Sequence, residues 1–272
     1  MRTNLNVIEA EMLANEDRQI SLTDPDARSM ATSGRDTGVV GYNVQAAVDT
    51  EHHLIVTHEV ANVGTDRSQL SRMGKQAKTV LGADKIEAIA DRGYYNGEEI
   101  VACENDGVTV LIPRVLTSTV RAQGRFAKPD FVYLPDENVY ICPTGERLTH
   151  HFTNVEKGNK TTYHYWTNAC TQCPIKDQCT TGNERRVRRW EHENVLEDVQ
   201  RRFDEKPDAM QVRRETVEHP FGTIKSWMGS THFQMRRLKN VATEMALHVL
   251  AYNMKRVMNI LGVAGLVQKI KT

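Results

Sequence analysis

Between residues 41 and 114 the apolar residues switch repeatedly between a period near two and a period near 3.6, and few folds accommodate that order. "GYNVQAAVD" (41–49) and "HLIVTHEVAN" (53–62) are rich in β-branched and aromatic residues and are parted by a short polar break, which predicts an antiparallel hairpin. In "TDRSQLSRMGKQAKTVLG", Leu70, Met73, Ala77 and Val80/Leu81 recur at helical spacing; Thr65 or Asp66 is placed to cap the start and Gly82 to stop the end. "KIEAIAD" (85–91) reads as a short apolar strand ending on Asp91. The turn after it leads into a helix with Ile100, Val101 and Cys103 inward, and "VTVLIPR" (108–114) reads as another buried strand. Strand–helix–strand order requires a parallel crossover beside the hairpin, hence a mixed sheet in an α/β fold.

Around this core the pattern changes. Residues 1–20 read as an acidic amphipathic helix, and 23–38, with Pro25, Gly34 and Gly38, as loop. Residues 115–207 lose regularity and read as an insertion with its own small fold. Helical spacing returns at Asp208, an N-cap after Pro207, and "NVATEMALHVLAYNMKRVMNILG" is apolar around most of its circumference, as a well-buried helix would be. The boundaries expected are therefore 1–38, 39–114, 115–207 and 208–272. No apolar run approaches the roughly 20 residues of a membrane span, and the N-terminal stretch lacks a signal-peptide core; the expected location is the cytoplasm.

Charge alone does not advertise a nucleic-acid partner, since 35 Lys/Arg face 35 Asp/Glu. The distribution is uneven: residues 226–272 hold seven Lys/Arg against the single acid Glu244. "ERRVRRW" (184–190) sets Arg185, Arg186, Arg188 and Arg189 beside Trp190, which is either a phosphate-contacting segment or a solvated basic face.

Four of the five cysteines, Cys142, Cys170, Cys173 and Cys179, fall within 38 residues. In a reducing compartment such clustering points to metal before disulfides. Cys-x2-Cys is a common zinc spacing, and four thiolates could close a structural tetrahedral site; the alternative is a set of buried reduced thiols. His150, His151 or His164 could replace one ligand. Cys103 belongs to the core.

Two carboxylates stand out. Asp91 ends a buried strand before a glycine-bearing turn, where open α/β sheets place ligands; it could equally cap the next helix. Arg214, Glu218 and Lys225, spaced by four and seven, share one face of a continuous helix, as a surface ladder also would. Pro220 interrupts that continuity.

"IADRGYYNGEE" followed much later by "RRETVEHPFGTIKSWMG" resembles the second and third acidic motifs of the DDE transposases of bacterial insertion sequences. Asp91 matches the second aspartate and Glu218 the terminal glutamate. The Tyr-x2-Arg-x3-Glu-x6-Lys signature is met at Arg214, Glu218 and Lys225, with Gln211 in place of its tyrosine. "TDPDARSM", "GYNVQAAVD" and "CPIKDQC" resemble the subgroup with a cysteine-bearing insertion. The resemblance implies an RNase H-like fold: a mixed sheet flanked by helices, with three carboxylates holding two Mg²⁺ for phosphodiester cleavage and strand transfer. It implies Asp91 and Glu218 as Mg²⁺ ligands, Arg214 and Lys225 on phosphate, double-stranded transposon-end and target DNA as partner, and a homo-oligomer in the full-length form.

The first aspartate of that triad sits, in the family resembled, on a strand preceding the hairpin, and nothing in this sequence matches it. Asp49, Asp24 and Asp26 are the internal candidates, and each reads more simply as turn chemistry. The expectation is an N-terminally truncated chain, inactive alone. The other readings are a non-catalytic DNA-binding or partner-interaction module, and a nuclease of the same fold.

Overall fold

The computed structural model describes residues 2–15, 17–30, 38–115, 119–156 and 160–271. They form two compact units, one of residues 1–113 with 199–272 and one of residues 114–198.

In the first unit, helix α1 (Arg2–Ala14) precedes strands β1 (Arg28–Met30), β2 (Val39–Gly41), β3 (Asn43–Val48) and β4 (Ile55–Ala61). Part of the expected 23–38 loop is thus strand: β1 pairs antiparallel with β2, Ser29 opposite Val40. The rest of that loop, 31–37, lies outside the described residues. The hairpin β3–β4 runs from Asn43↔Ala61 to Val48↔Ile55, with a register shift at Ala47/Val48. Helix α2 (Leu70–Leu81) ends at Gly82, whose φ of 60° is the left-handed conformation a glycine adopts without strain. Its start is not capped by Thr65 or Asp66; Gln69 holds that position without a side-chain bond. Strand β5 (Ile86–Ile89), helix α3 (Gly97–Asn105) and strand β6 (Val108–Leu111) make the expected crossover, β5 parallel to β6 with Ile86 opposite Val108. Cys103 is 1% exposed, and burial pushes its thiol up to about 12.

The second unit contains a short helix α4 (Thr119–Ala122) and strands β7 (Val132–Leu134), β8 (Val139–Ile141), β9 (Arg147–Glu156), β10 (Lys160–Trp166) and β11 (Val187–Trp190). They form one antiparallel sheet in the order β11-β10-β9-β8-β7. Its core is Phe131, Tyr140, Leu148, Tyr165 and Val187.

Helices α5 (Glu193–Asp204), α6 (Ala209–Gly222) and α7 (Leu238–Ile270) complete the chain. Asp208 stands at the N-cap of α6 without a side-chain bond. Pro220 lies inside that helix, which passes into a π-helical turn over Thr223–Trp227. A wider turn directly after a proline is a familiar way for a helix to absorb a lost backbone donor. Helix α7 is buried along one stripe only, at Val241, Met245, Val249 and Tyr252, while Leu247, Leu250, Met254 and Leu261 are exposed. The expectation of burial around most of its circumference is thereby corrected. The stripe packs on Ile55 and Val60 of β4 and on Ile224.

Polar contacts clamp α7 onto the hairpin. The Asn253 side chain donates to the Ile55 carbonyl at 2.9 Å and accepts from the Ile55 N–H at 3.0 Å. The Tyr252 hydroxyl donates to the His53 carbonyl at 2.6 Å. At the start of α7, Asp24 accepts from the Arg237 N–H at 3.2 Å and Asp26 from the Leu238 N–H at 2.9 Å. These carboxylates occupy the donors that a helix N-terminus leaves unpaired. No described helix is long and apolar enough to cross a membrane.

One feature of the expected architecture differs. Among the described residues β3 pairs with β4 alone and β5 with β6 alone, so the single mixed sheet is present as two separate pairs.

Candidate functional site

Asp91 follows strand β5 and begins a 3₁₀ turn over Arg92–Tyr94, its Oδ1 accepting from the Gly93 N–H at 2.8 Å. It does not cap α3. Asn96 does, accepting from the Glu98 N–H at 3.1 Å. The other Asp91 oxygen accepts from the Arg213 guanidinium at 2.6 Å.

A second carboxylate shares this corner. A Cβ on Gly93 would meet Asp91 Oδ1 at 3.0 Å and Asp66 Oδ2 at 3.5 Å, so these two oxygens lie no more than about 6.5 Å apart. A side chain at 93 would crowd Asp91 Oδ1 and only touch Asp66 Oδ2. Asp66 Oδ1 accepts from the side-chain amides of Asn43 and Gln45, at 2.7 Å each. Gln45, only 1% exposed, in turn accepts from the Tyr94 hydroxyl. Burial, then the charges of Asp66 and Asp91, push the Tyr94 hydroxyl well above its ordinary range. Tyr94 therefore stays protonated and donates. Asp66 was expected as a helix cap. The polar Asn43 and Gln45 inside an otherwise apolar strand were the sequence signal for its actual place.

Glu218 and Arg214 are exposed on α6, and Lys225 is exposed in the π-helical turn with its ammonium 6.0 Å from the Phe221 ring centre. Arg213 faces Asp91, and Glu218 is five residues further on, about 140° around an ideal helix. The buried positions Ala209, Thr216 and Pro220 mark the inward side of α6, and Arg213 stands at the edge of it. Asp49 is occupied by its own turn, accepting from the His52 N–H at 2.6 Å. Among the described residues no group of three or more His, Cys, Asp or Glu is arranged to hold a metal ion.

In the second unit the four cysteines are free, and all four line one cavity of about 30 Å³ with Phe126, Phe131 and Leu148. Burial pushes the Cys179 thiol up, against the nearby Arg185 charge and with a smaller push from the other three cysteines. The Cys142 sulfur lies 3.0 Å from the Thr144 hydroxyl. His150, His151 and His164 do not line that cavity; His151 stacks on Trp166, ring centres 3.7 Å apart.

The arginine run splits by strand alternation. Arg189 points inward, forked onto Glu197 at 2.6 and 2.9 Å, bonded to the Tyr140 hydroxyl at 3.2 Å and 3.8 Å over the Tyr133 ring. Arg186 and Arg188 are on the exposed face, where Arg186 pairs with Glu184 at 2.7 Å and lies over Trp166. Arg185 lies 5.3 Å over the Phe131 ring.

Residues 141–258 match the sequence model of the transposase DDE domain family. The matched stretch holds Glu218, Arg214, Lys225, the four clustered cysteines and the arginine run; Asp66 and Asp91 precede it. No curated protein and no solved structure matches the chain.

Proposed function

We propose that this chain belongs to the machinery of DNA transposition, as a DDE transposase polypeptide with an RNase H-like core, and that alone it binds double-stranded DNA without cutting it. The observation that carries the reading is the family match over 141–258, which takes in Glu218 and its flanking Arg214 and Lys225. The resemblance around Asp91, which precedes the matched stretch, supports it.

Mg²⁺ is the ion this chemistry calls for: two such ions hold the attacking and leaving oxygens in line when clustered carboxylates bind them. The residues present do not fit a complete site. Asp91 is already bridged by Arg213, its carboxylate neighbour is Asp66, and Glu218 stands exposed on another side of α6. Two acids and an arginine are a poor cage for two divalent cations. In this reading Asp91 and Glu218 are the acids of the reaction, and a third acid and displacement of Arg213 are both required before either holds metal. The Arg213–Asp91 pair also favours the alternative, a non-catalytic DNA-binding module, over an active nuclease.

Arg214, Lys225, Arg186 and Arg188 are the proposed phosphate contacts. Arg185 and Arg189 act beneath them as packing. For the four cysteines we propose structural zinc, supported by their sharing one cavity; as placed they do not form a coordination shell, and binding would have to draw them together. A homo-oligomer is part of the proposal.

The test is incubation of the purified chain with duplex DNA carrying transposon ends, with and without Mg²⁺. Salt-dependent binding and no strand cleavage are expected. Cleavage that disappears in Asp91→Ala would overturn the inactive assignment, and no DNA binding at low salt would overturn both readings.

A further inference from the structure

Helices α6 and α7 of the first unit border a groove of about 280 Å³. His219, Thr223 and Trp227 reach it from α6 and its π-helical turn, recurring every four residues. Tyr252, Lys255, Arg256 and Asn259 reach it from α7, at i, i+3, i+4 and i+7, which is one helix face. No acidic side chain lines the groove, and none of its residues borders the cavity at Asp91 and Arg213.

Several of its polar groups are held in place with bonding capacity left over. The Arg256 Nε donates to the His52 carbonyl at 2.6 Å, which anchors the guanidinium and leaves its Nη donors. Lys255 and Arg256 have no carboxylate partner among the described residues, and the Asn259 amide has no hydrogen-bond partner there. Tyr252 gives its one proton to the His53 carbonyl at 2.6 Å, so the 2.8 Å bond to His219 is donated by the imidazole Nδ1. Burial, then the charges of Arg256 and His53, hold His219 below the ordinary histidine range. Its ring is therefore neutral at neutral pH, with Nε2 as an acceptor. Trp227 is 83% exposed, with the Lys255 ammonium 5.9 Å from its ring centre. An indole so placed offers water a stacking face and adds nothing to the core.

We propose that this groove holds one unpaired nucleotide of a DNA strand, its base on Trp227 and its phosphate between Lys255 and Arg256. Two cations with no acid beside them select an anion, and a guanidinium suits phosphate. The exposed indole selects a flat ring without reading its sequence, since every base has a π face. His219 Nε2 takes a base N–H, and the Asn259 amide lies on the same side. In a duplex the base faces are covered by their neighbours and the N–H groups are occupied by pairing, so a single strand fits and a duplex does not. The inference rests on the DNA reading above for its polymer and adds to it a site for unpaired bases.

The experiment compares the full chain with Trp227→Ala, Trp227→Phe and Lys255→Gln, all changes at exposed positions. Fluorescence anisotropy at low salt reads binding of labelled hexathymidine and of a labelled blunt-ended duplex, with thymidine monophosphate as competitor. Expected is hexathymidine binding that weakens about tenfold in Trp227→Ala, as loss of one base–aromatic stack does, and recovers in part in Trp227→Phe. Lys255→Gln should lower the salt slope for hexathymidine by about 0.7. Duplex binding should be the same with and without Trp227. Hexathymidine binding unchanged in Trp227→Ala, or weakened only as much as duplex binding, overturns the proposal, while duplex binding by the parent chain keeps the DNA reading. Thymidine monophosphate binding as tightly as hexathymidine also overturns it and assigns the groove to a free nucleotide. Failure of both hexathymidine and duplex to bind sinks the DNA reading and this inference together.

Discussion

In the second unit each strand of the five lies beside its neighbour in the sequence, from β7 to β11, and one sheet results. In the first unit, among the described residues, a hairpin, a parallel pair and a short β1–β2 ribbon stay separate, and helices α2 and α6 pack across them. The difference follows from locality. Hairpins pair segments that the chain delivers next to each other at small entropic cost; the central contacts of a mixed sheet need segments far apart in sequence. The first unit compensates with helix α7, whose Asn253 and Tyr252 reach nearly two hundred residues back to the hairpin. Sheet completeness in one unit and helix clamping in the other are the two sources of stability, and they can be attacked separately.

The largest expected effect is in the sheet. Tyr165 is 1% exposed, is ringed by Tyr133 and Tyr140, and donates to Asn138 at 2.7 Å. Tyr165→Ala should cost about 3–5 kcal/mol, as large-to-small aromatic changes do. Urea melting followed by probes within 114–198 should show the loss, while probes on the β3–β4 hairpin keep their midpoint; a common shift in both would show that the units do not melt separately.

Next in size is a matched pair of buried glutamates, one in each unit. Glu193 is held by Lys128 at 2.7 Å, by Arg114 at 3.4 Å and by the Trp190 N–H. Burial alone would raise its carboxyl, but Lys128 and the Trp190 N–H hold it below the ordinary range. Glu244 is likewise lowered against burial, by the N–H groups of Gln234 and Met235 and by His248. A lowered folded value means that each contributes stability above the ordinary glutamate range near pH 4.3, and loses it as pH falls through the folded value. Glu244→Gln should cost about 1.5–3 kcal/mol at neutral pH, the range for hydrogen bonds to a charged group. Added salt should change neither contribution much, since the Glu193 and Glu244 side chains are 7% and 10% exposed and buried pairs escape most of the screening. Chemical denaturation at neutral and acid pH, at two salt concentrations, reads both.

The same contrast explains what the sequence disclosed. The hairpin, α2 with its Gly82 stop and the β5–α3–β6 crossover carried their own periodicity and turn residues, so they were legible. So was the corner at Asp91, because a short apolar strand ended there. Its partners were not: Arg213 and Asp66 reach it from segments remote in sequence, and the spacing rule drew the eye to Arg214 and Glu218 instead. The exposed half of α7 was misread because an apolar circumference does not say which stripe meets a neighbour. The helix Glu193–Asp204 was missed because four cysteines and an arginine run dominated the reading of 115–207.

A chemical test of the second unit is zinc content. If the four thiols close on a metal, the chain purified without chelator holds about one zinc per molecule, and Cys170→Ser with Cys173→Ser loses it and lowers the melting point of 114–198. Metal-free protein of unchanged stability would show that the cavity holds four reduced thiols, and that the sheet needs no further support.

The smallest effect is also the sharpest, because it sets adjacent residues against each other. Arg188 and Arg189 differ in nothing the sequence shows, yet strand alternation exposes one and buries the other. Arg189→Ala should destabilise 114–198 by about 1 kcal/mol, the net worth of its buried bond to the Tyr140 hydroxyl, because the Glu197 carboxylate is exposed and stays solvated when unpaired. Arg188→Ala should leave stability within about 0.5 kcal/mol, as surface changes do. If Arg188 contacts phosphate, its removal lowers the slope of log binding constant against log salt by about 0.9. Measuring duplex binding across a salt series for both variants decides whether the exposed side of β11 meets DNA. An unchanged slope in Arg188→Ala would leave that face as solvated charge and shift the phosphate contacts to α6 and its π-helical turn.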